Sequence, residues 1–168
     1  MLLKDYIPNI NKKYKDIFFS GISFSTSKVK KKNIFFAIKG NKIDGNKYID
    51  KAIQKGANVI VSEKRKINKK KNVVFLRSSN VRKLLAQVSF KILDKKPKKL
   101  VAVTGTNGKS SIADFFFQIL DLNSKKVASI ETIGIRHKDK KKILTNTTLD
   151  PIQLSSILKD LKKKKLNM

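Results

Sequence analysis

The sequence has 168 residues, 40% of them hydrophobic, with no cysteine and a formal net charge of +28. That length allows one domain or one and a half, the apolar content supplies a core and excludes global disorder, and the missing cysteine excludes a disulfide framework, thiolate zinc sites and a cysteine nucleophile. The charge is almost all lysine, with Arg65, Arg77, Arg82 and Arg136 the only arginines, and because arginine is the side chain that forks onto phosphate and guanine, runs such as "KVKKKN" and "LKKKKL" point to salt-sensitive contact with polyanions and not to a specific nucleic-acid partner.

The opening stretch "MLLKDYIPNINKKYKD" carries no apolar segment of signal-peptide length. No run approaches the ~20 apolar residues of a membrane span, so no membrane insertion and a cytoplasmic location are expected. Ile17–Phe24 and Asn33–Ile38 read as strands rich in aromatic and β-branched residues. "GNKIDGN" is a Gly/Asn/Asp loop. Lys47–Gly56 has apolar residues at helical spacing and a glycine stop. Asn58–Glu63 and Val73–Ser78 are further strands. Asn80 is placed to cap a helix over Val81–Leu93, with Val81, Leu84, Leu85, Val88 and Ile92 on one face.

"DKKPKK" (residues 94–99) is charged, holds Pro97 and lacks apolar residues, so a linker is expected there. It divides a first domain, 1–97, from a second, 98–168. The pattern then restarts: strand Leu100–Thr104, helix Lys109–Leu122, strand Val127–Ile130, a hairpin around "RHKDKKK", and a helix from about Asp150 to Lys164 with Pro151 in its first turn. The alternation of strands and helices predicts an α/β fold.

At the seam of strand and helix lies "TGTNGKSS", Thr104–Ser111. A strand, a glycine-rich turn and a helix start together form a phosphate-binding loop, because glycines let the backbone approach the anion and the first helical N–H groups point at it. The generic pattern G-x-x-x-x-G-K-[ST] has a first glycine that this chain replaces with Val103. On that motif alone a plain helix start competes equally. The eight residues are more specific than the generic pattern: they resemble the loop of the Mur ligase family, usually T-G-T-N-G-K-T-[ST], with the same displaced glycine. "NIFFAIKGNKIDGNKYIDKAIQKGANVIV" and "NTTLDPIQL" resemble, in the same order and spacing, the member that adds the third peptide residue to UDP-MurNAc-L-Ala-D-Glu.

The resemblance implies a small N-terminal α/β substrate domain followed by the start of a P-loop-type ATPase domain with a mainly parallel sheet. It implies ATP-dependent amide ligation of meso-diaminopimelate, with lysine as the alternative amine, to UDP-MurNAc-L-Ala-D-Glu through an acyl phosphate, with ATP and magnesium as cofactors. Carried over by position, Gly105, Thr106, Asn107, Gly108, Lys109, Ser110 and Ser111 would hold ATP. Lys109 would be the catalytic cation and Ser110 the magnesium ligand. Ser27, Asn41, Lys42, Ile43, Asn146, Thr147 and Thr148 would contact the UDP-linked substrate.

The chain also departs from the family. Thr26-Ser27-Lys28 stands where Asp-Ser-Arg is usual, Glu131 where glycine is usual, and Leu149 where proline is usual. The family has three domains, and the resemblance ends early in the second, so this chain alone is not expected to ligate. Two other readings stay open: a different Mur-type or folylpolyglutamate-type ligase, and a non-catalytic basic binding module. His137, the only histidine, has no ligand-spaced partner, and Phe115, Phe116 and Phe117 are expected to pack in the core.

Overall fold

The computed structural model describes residues 1–41, 43–64, 72–93, 97–131, 134–138, 140–142 and 149–164, with 140–142 by backbone alone. The chain divides into two compact units, Met1–Ile92 and Leu93–Met168.

In the first unit, β1 (Gly21–Ser23), β2 (Asn33–Phe36), β3 (Val59–Ser62) and β4 (Val74–Arg77) lie side by side in that order. Every neighbouring pair is parallel. A parallel sheet needs cover on both faces, and β2 and β3 are buried at every residue. Side chains alternate between faces. Phe35 and its register partner Ile60 therefore share a face, where they meet Ile49 and Ala52 of α2 (Ile49–Gln54) together with Val29, Ala37 and Ala57. Ile34, Phe36, Val59 and Val61 take the other face. There α3 (Val81–Ile92) packs on β2, with Val81, Leu84, Leu85 and Val88 buried. The expected cap is present: Asn80 Oδ1 accepts the Lys83 N–H at 2.8 Å.

The first expected strand, 17–24, shrinks to Gly21–Ser23 because its early residues pair with the chain start. Leu2 bridges Phe18, and the Phe19 N–H donates to Met1 O at 2.9 Å. A four-residue helix, α1 (Leu3–Tyr6), buries Leu3 beside this pairing, and Tyr6 meets Phe19 edge-on at 5.3 Å between ring centroids.

The second unit holds α4 (Lys109–Leu122), β5 (Ser129–Glu131), β6 (Gly134–His137), β7 (Lys140–Lys142) and α5 (Pro151–Lys163). The expected hairpin is β6–β7, and β5 extends it on the other side, both pairings antiparallel. Ile135 of β6 and Leu161 of α5 are buried together, with Ala128, Ile130 and Ile157 around them. Asp150 caps α5 by accepting the Ile152 and Gln153 N–H groups, each at 2.9 Å, while Gln153 answers with its own side chain, a reciprocal capping box. Arg136 of β6 ties α4 to the sheet: it pairs with Asp114 at 2.6 Å and lies 4.0 Å over the Phe117 ring.

Three expectations for this unit are corrected. The mainly parallel sheet is not formed by its described residues, whose three strands are antiparallel. Residues 100–104 form no strand, and Leu100 and Val101 are exposed; an apolar run becomes a buried strand only with neighbours to pair, and here the described strands pair with one another. Of the three consecutive phenylalanines only Phe117 is buried, whereas Phe115 is 62% exposed.

Candidate functional site

Two loops carry the sequence-predicted site, one in each unit. In the second unit the glycine-rich turn leads into α4. Gly105 and Gly108 take positive φ, +151° and +74°, a region that favours glycine. Gly108 is the residue that caps α4, and it offers no side chain to the helix. The first N–H groups of a helix have no intrahelical acceptor, so this end is open to an anion. Lys109 folds back over the turn: its ammonium donates to Gly105 O at 2.6 Å and to Thr106 O at 3.0 Å. Thr106, Asn107, Ser110 and Ser111 are exposed around it. The turn thus sets one cation and several N–H and hydroxyl groups on one exposed rim, a donor set that fits a polyphosphate and leaves the Ser110 hydroxyl free to meet a divalent cation. Among the described residues no group of three or more His, Asp or Glu forms a metal cluster.

In the first unit the 38–45 loop follows β2. It is closed by backbone bonds: the Gly40 N–H donates to Ile43 O and the Gly45 N–H to Ile38 O, each at 2.8 Å. Asn41 and Ile43 stand exposed at its tip. The residues after β1 form a second short loop in which Ser23 Oγ donates to Ser25 O, and Ser25 and Ser27 share a hydroxyl contact at 2.8 Å. Because β1 and β2 are parallel neighbours, both loops leave the carboxyl edge of the sheet, where open α/β sheets bind ligands.

The residues that hold the 38–45 loop were absent from the sequence reading. Asp44 accepts from both the backbone and side-chain N–H groups of Asn46, and Ser62 Oγ of β3 donates to Asn46 Oδ1 at 2.6 Å. The Asp-Gly-Asn run was the available signal, since Asp in such a run bonds the backbone two residues on. Those N–H groups hold the Asp44 carboxyl below its ordinary value of 3.8. A carboxyl lowered in the folded state stabilises the loop fully above that ordinary value, and the contribution fades as pH falls through the lowered one. We therefore expect the Asn46 amide resonance to stay constant above about pH 5 and to move only in stronger acid; a shift centred at or above the ordinary carboxylate value would show that Asp44 is not so held.

Lys42, Asn146, Thr147 and Thr148 lie outside the described residues. Glu131 ends β5 and accepts from Ser129 Oγ. A cavity of about 550 Å³ opens at the end of β4, among Asn9, Tyr14, Arg77, Ser78 and Lys83, and is lined by none of the predicted site residues. No helix among the described residues is long and apolar enough to cross a membrane.

Known proteins resemble this chain in both units. Residues 19–90 match the model of the Mur ligase family, catalytic domain, and residues 103–168 match that of the Mur ligase middle domain. The UDP-N-acetylmuramoyl-L-alanyl-D-glutamate--2,6-diaminopimelate ligase of Clostridium tetani is 42% identical over 73 residues, which are 42% of this chain and 15% of that protein. The ligase of the same name from Fusobacterium nucleatum is 34% identical over 88 residues, 52% of this chain and 16% of its own length. A solved structure of a ligase of that name superposes with a TM-score of 0.79 at 24% identity, over 99% of this chain and 34% of that one. The chain thus spans about a third of the solved ligase.

Proposed function

This chain belongs to the Mur ligase family, and from that premise we propose that it forms the substrate-binding and phosphate-loop portion of an ATP-dependent ligase that adds meso-diaminopimelate to UDP-MurNAc-L-Ala-D-Glu. The first unit would be the UDP-substrate domain, and the second the beginning of the ATP-binding domain. This reading places the protein in the cytoplasm, where ATP and UDP-linked precursors are found.

The observation that carries the reading is the Lys109 ammonium, held over the Gly105 and Thr106 carbonyls at the start of α4, where no side chain caps the helix. ATP with magnesium would supply the phosphoryl group that activates the substrate carboxylate. The residues here supply position and charge. The backbone of Gly105–Gly108 would wrap the phosphates. Lys109 would exchange its carbonyl partners for phosphate oxygens and neutralise their charge. Ser110 would offer its hydroxyl to magnesium, and Ser111 a further donor. Ser27, Asn41, Lys42 and Ile43 would orient the nucleotide end of the UDP-linked substrate, and Asn146, Thr147 and Thr148 its peptide end. The amine substrate is left to the remaining two thirds of the fold.

Binding to the native state alone raises stability by mass action, about 2.7 kcal/mol at a hundredfold excess of ligand over Kd. ATP with magnesium should therefore raise the melting temperature of the second unit. Lys109→Ala should erase the shift without itself lowering the melting temperature, because the side chain is exposed. If Lys109→Ala keeps the shift, or heparin reproduces it with a steep salt dependence, the basic binding module is the correct reading instead.

A further inference from the structure

We propose that Arg82 is a phosphate-binding residue for the nucleotide end of the substrate, its guanidinium set against Gly40 to clamp a nucleoside diphosphate. The proposal rests on the ligase reading above and names a residue for it on a different element from the loop residues already assigned.

The geometry comes first. A methyl group built on Gly40 would stand 3.8 Å from a terminal nitrogen of Arg82, ordinary contact distance, so the guanidinium lies against the backbone at Gly40. Gly40 follows β2 and Arg82 follows β4, in the first turn of α3. All four strands are parallel, which places both residues, with Ser27, at the carboxyl edge of one sheet. A helix residue distant in sequence thereby lies beside the loop that carries Asn41 and Ile43.

The second point is charge. Arg82 is exposed and takes part in neither the Lys4–Asp16 nor the Arg136–Asp114 ion pair. The loop's own carboxylate, Asp44, is engaged by the N–H groups of Asn46, with Lys39 and Lys64 also acting on it. Arg82 thus faces the loop with no described carboxylate bonded to it.

The third point is chemical type. Guanidinium presents a rigid fork of N–H donors that matches a pair of phosphate oxygens, whereas an ammonium acts as a point charge. Arg82 is one of only four arginines among the 40 lysine and arginine residues of the chain, and its fork lies beside a candidate nucleotide loop.

The test is calorimetric titration of the full chain with UDP, and with uridine as the ligand lacking phosphate. The variants are Arg82→Ala, Arg82→Lys and, as a control for net charge, Lys83→Ala at the next position. Circular dichroism checks that each is folded. Arg82→Ala should weaken UDP binding about tenfold or more, Arg82→Lys should recover part of the loss, Lys83→Ala should stay within about twofold of wild type, and uridine should bind all four alike. Wild-type affinity for UDP in Arg82→Ala, or equal losses in Arg82→Ala and Lys83→Ala, overturns the role of Arg82 and leaves the ligase reading standing. Failure of the wild-type chain to bind UDP at all overturns that reading's substrate half and this inference with it.

Discussion

Replacing Phe35 with alanine is expected to remove about 3–5 kcal/mol from the stability of the first unit. Phe35 is wholly buried in β2, a central strand with β1 on one side and β3 on the other. It packs among Val29, Ala37, Ile49, Ala52, Ala57 and Ile60. Truncation removes the ring from an apolar site and leaves a void that flanking strands cannot collapse to fill. Domains of this size are stable by only about 5–15 kcal/mol, so the change consumes a large share of the total. In urea the midpoint should fall steeply while the slope stays constant, the mark of lost stability without a changed unfolded state. Phe115→Ala is the matched control, because a ring 62% exposed withdraws little area from water. A loss below about 1 kcal/mol for Phe35→Ala would be incompatible with a sheet packed on both faces.

Gly45→Ala should act on the 38–45 loop nearly as strongly. Its cause is space rather than backbone conformation. A Cβ at Gly45 would stand 2.6 Å from Ile38 O, 2.7 Å from Ile38 N and 3.1 Å from the Ala37 carbonyl carbon. All three are backbone atoms, so no side-chain rotation relieves the overlap, and the Gly45 N–H to Ile38 O bond that closes the loop must break. The expected cost is about 3 kcal/mol, at the upper end for overpacking. A calorimetric scan should show a lower melting temperature, and amide spectra should show displaced signals from 38–46. With Asn41, Ile43 and Gly40 displaced, the variant should also lose UDP binding. Unchanged melting and amide spectra would contradict the close approach of Gly45 to Ile38.

Where the sequence was readable, one local rule decided the outcome. The strands at 33–38 and 58–63 were visible because central parallel strands are apolar on both faces, and the edge strand at 73–78 was visible as a short apolar run, Val73–Leu76. The bounds of α4 and α5 were visible because a glycine turn opens one and Asp150-Pro151 opens the other. The glycine turn before α4, the candidate phosphate loop, was visible because its signal sits in consecutive residues. What escaped depended on distant partners. Residues 17–19 have strand-like composition, yet they pair with Met1 and Leu2. Residues 100–104 read as a strand, but no strand can be formed by one segment alone. Phe115, Phe116 and Phe117 sit about 100° apart around the helix, so no single face can bury all three. At the candidate site, the 38–45 loop was legible as a loop from its Gly/Asn/Asp composition, whereas the brace from Ser62 to Asn46 and the approach of Arg82 to Gly40 cross the fold and leave no mark in the local sequence.

The order β1-β2-β3-β4 in the first sheet also sets how the unit is assembled in time. The strands stand side by side in the order in which a ribosome delivers them. Each newly made strand meets a finished edge of the preceding one and never has to wait for a distant segment or displace a neighbour. Short sequence separations between paired strands lower the loop-closure cost and speed folding. The unit can therefore build up strand by strand during synthesis, and it is complete before the apolar helix of the second unit is clear of the ribosome.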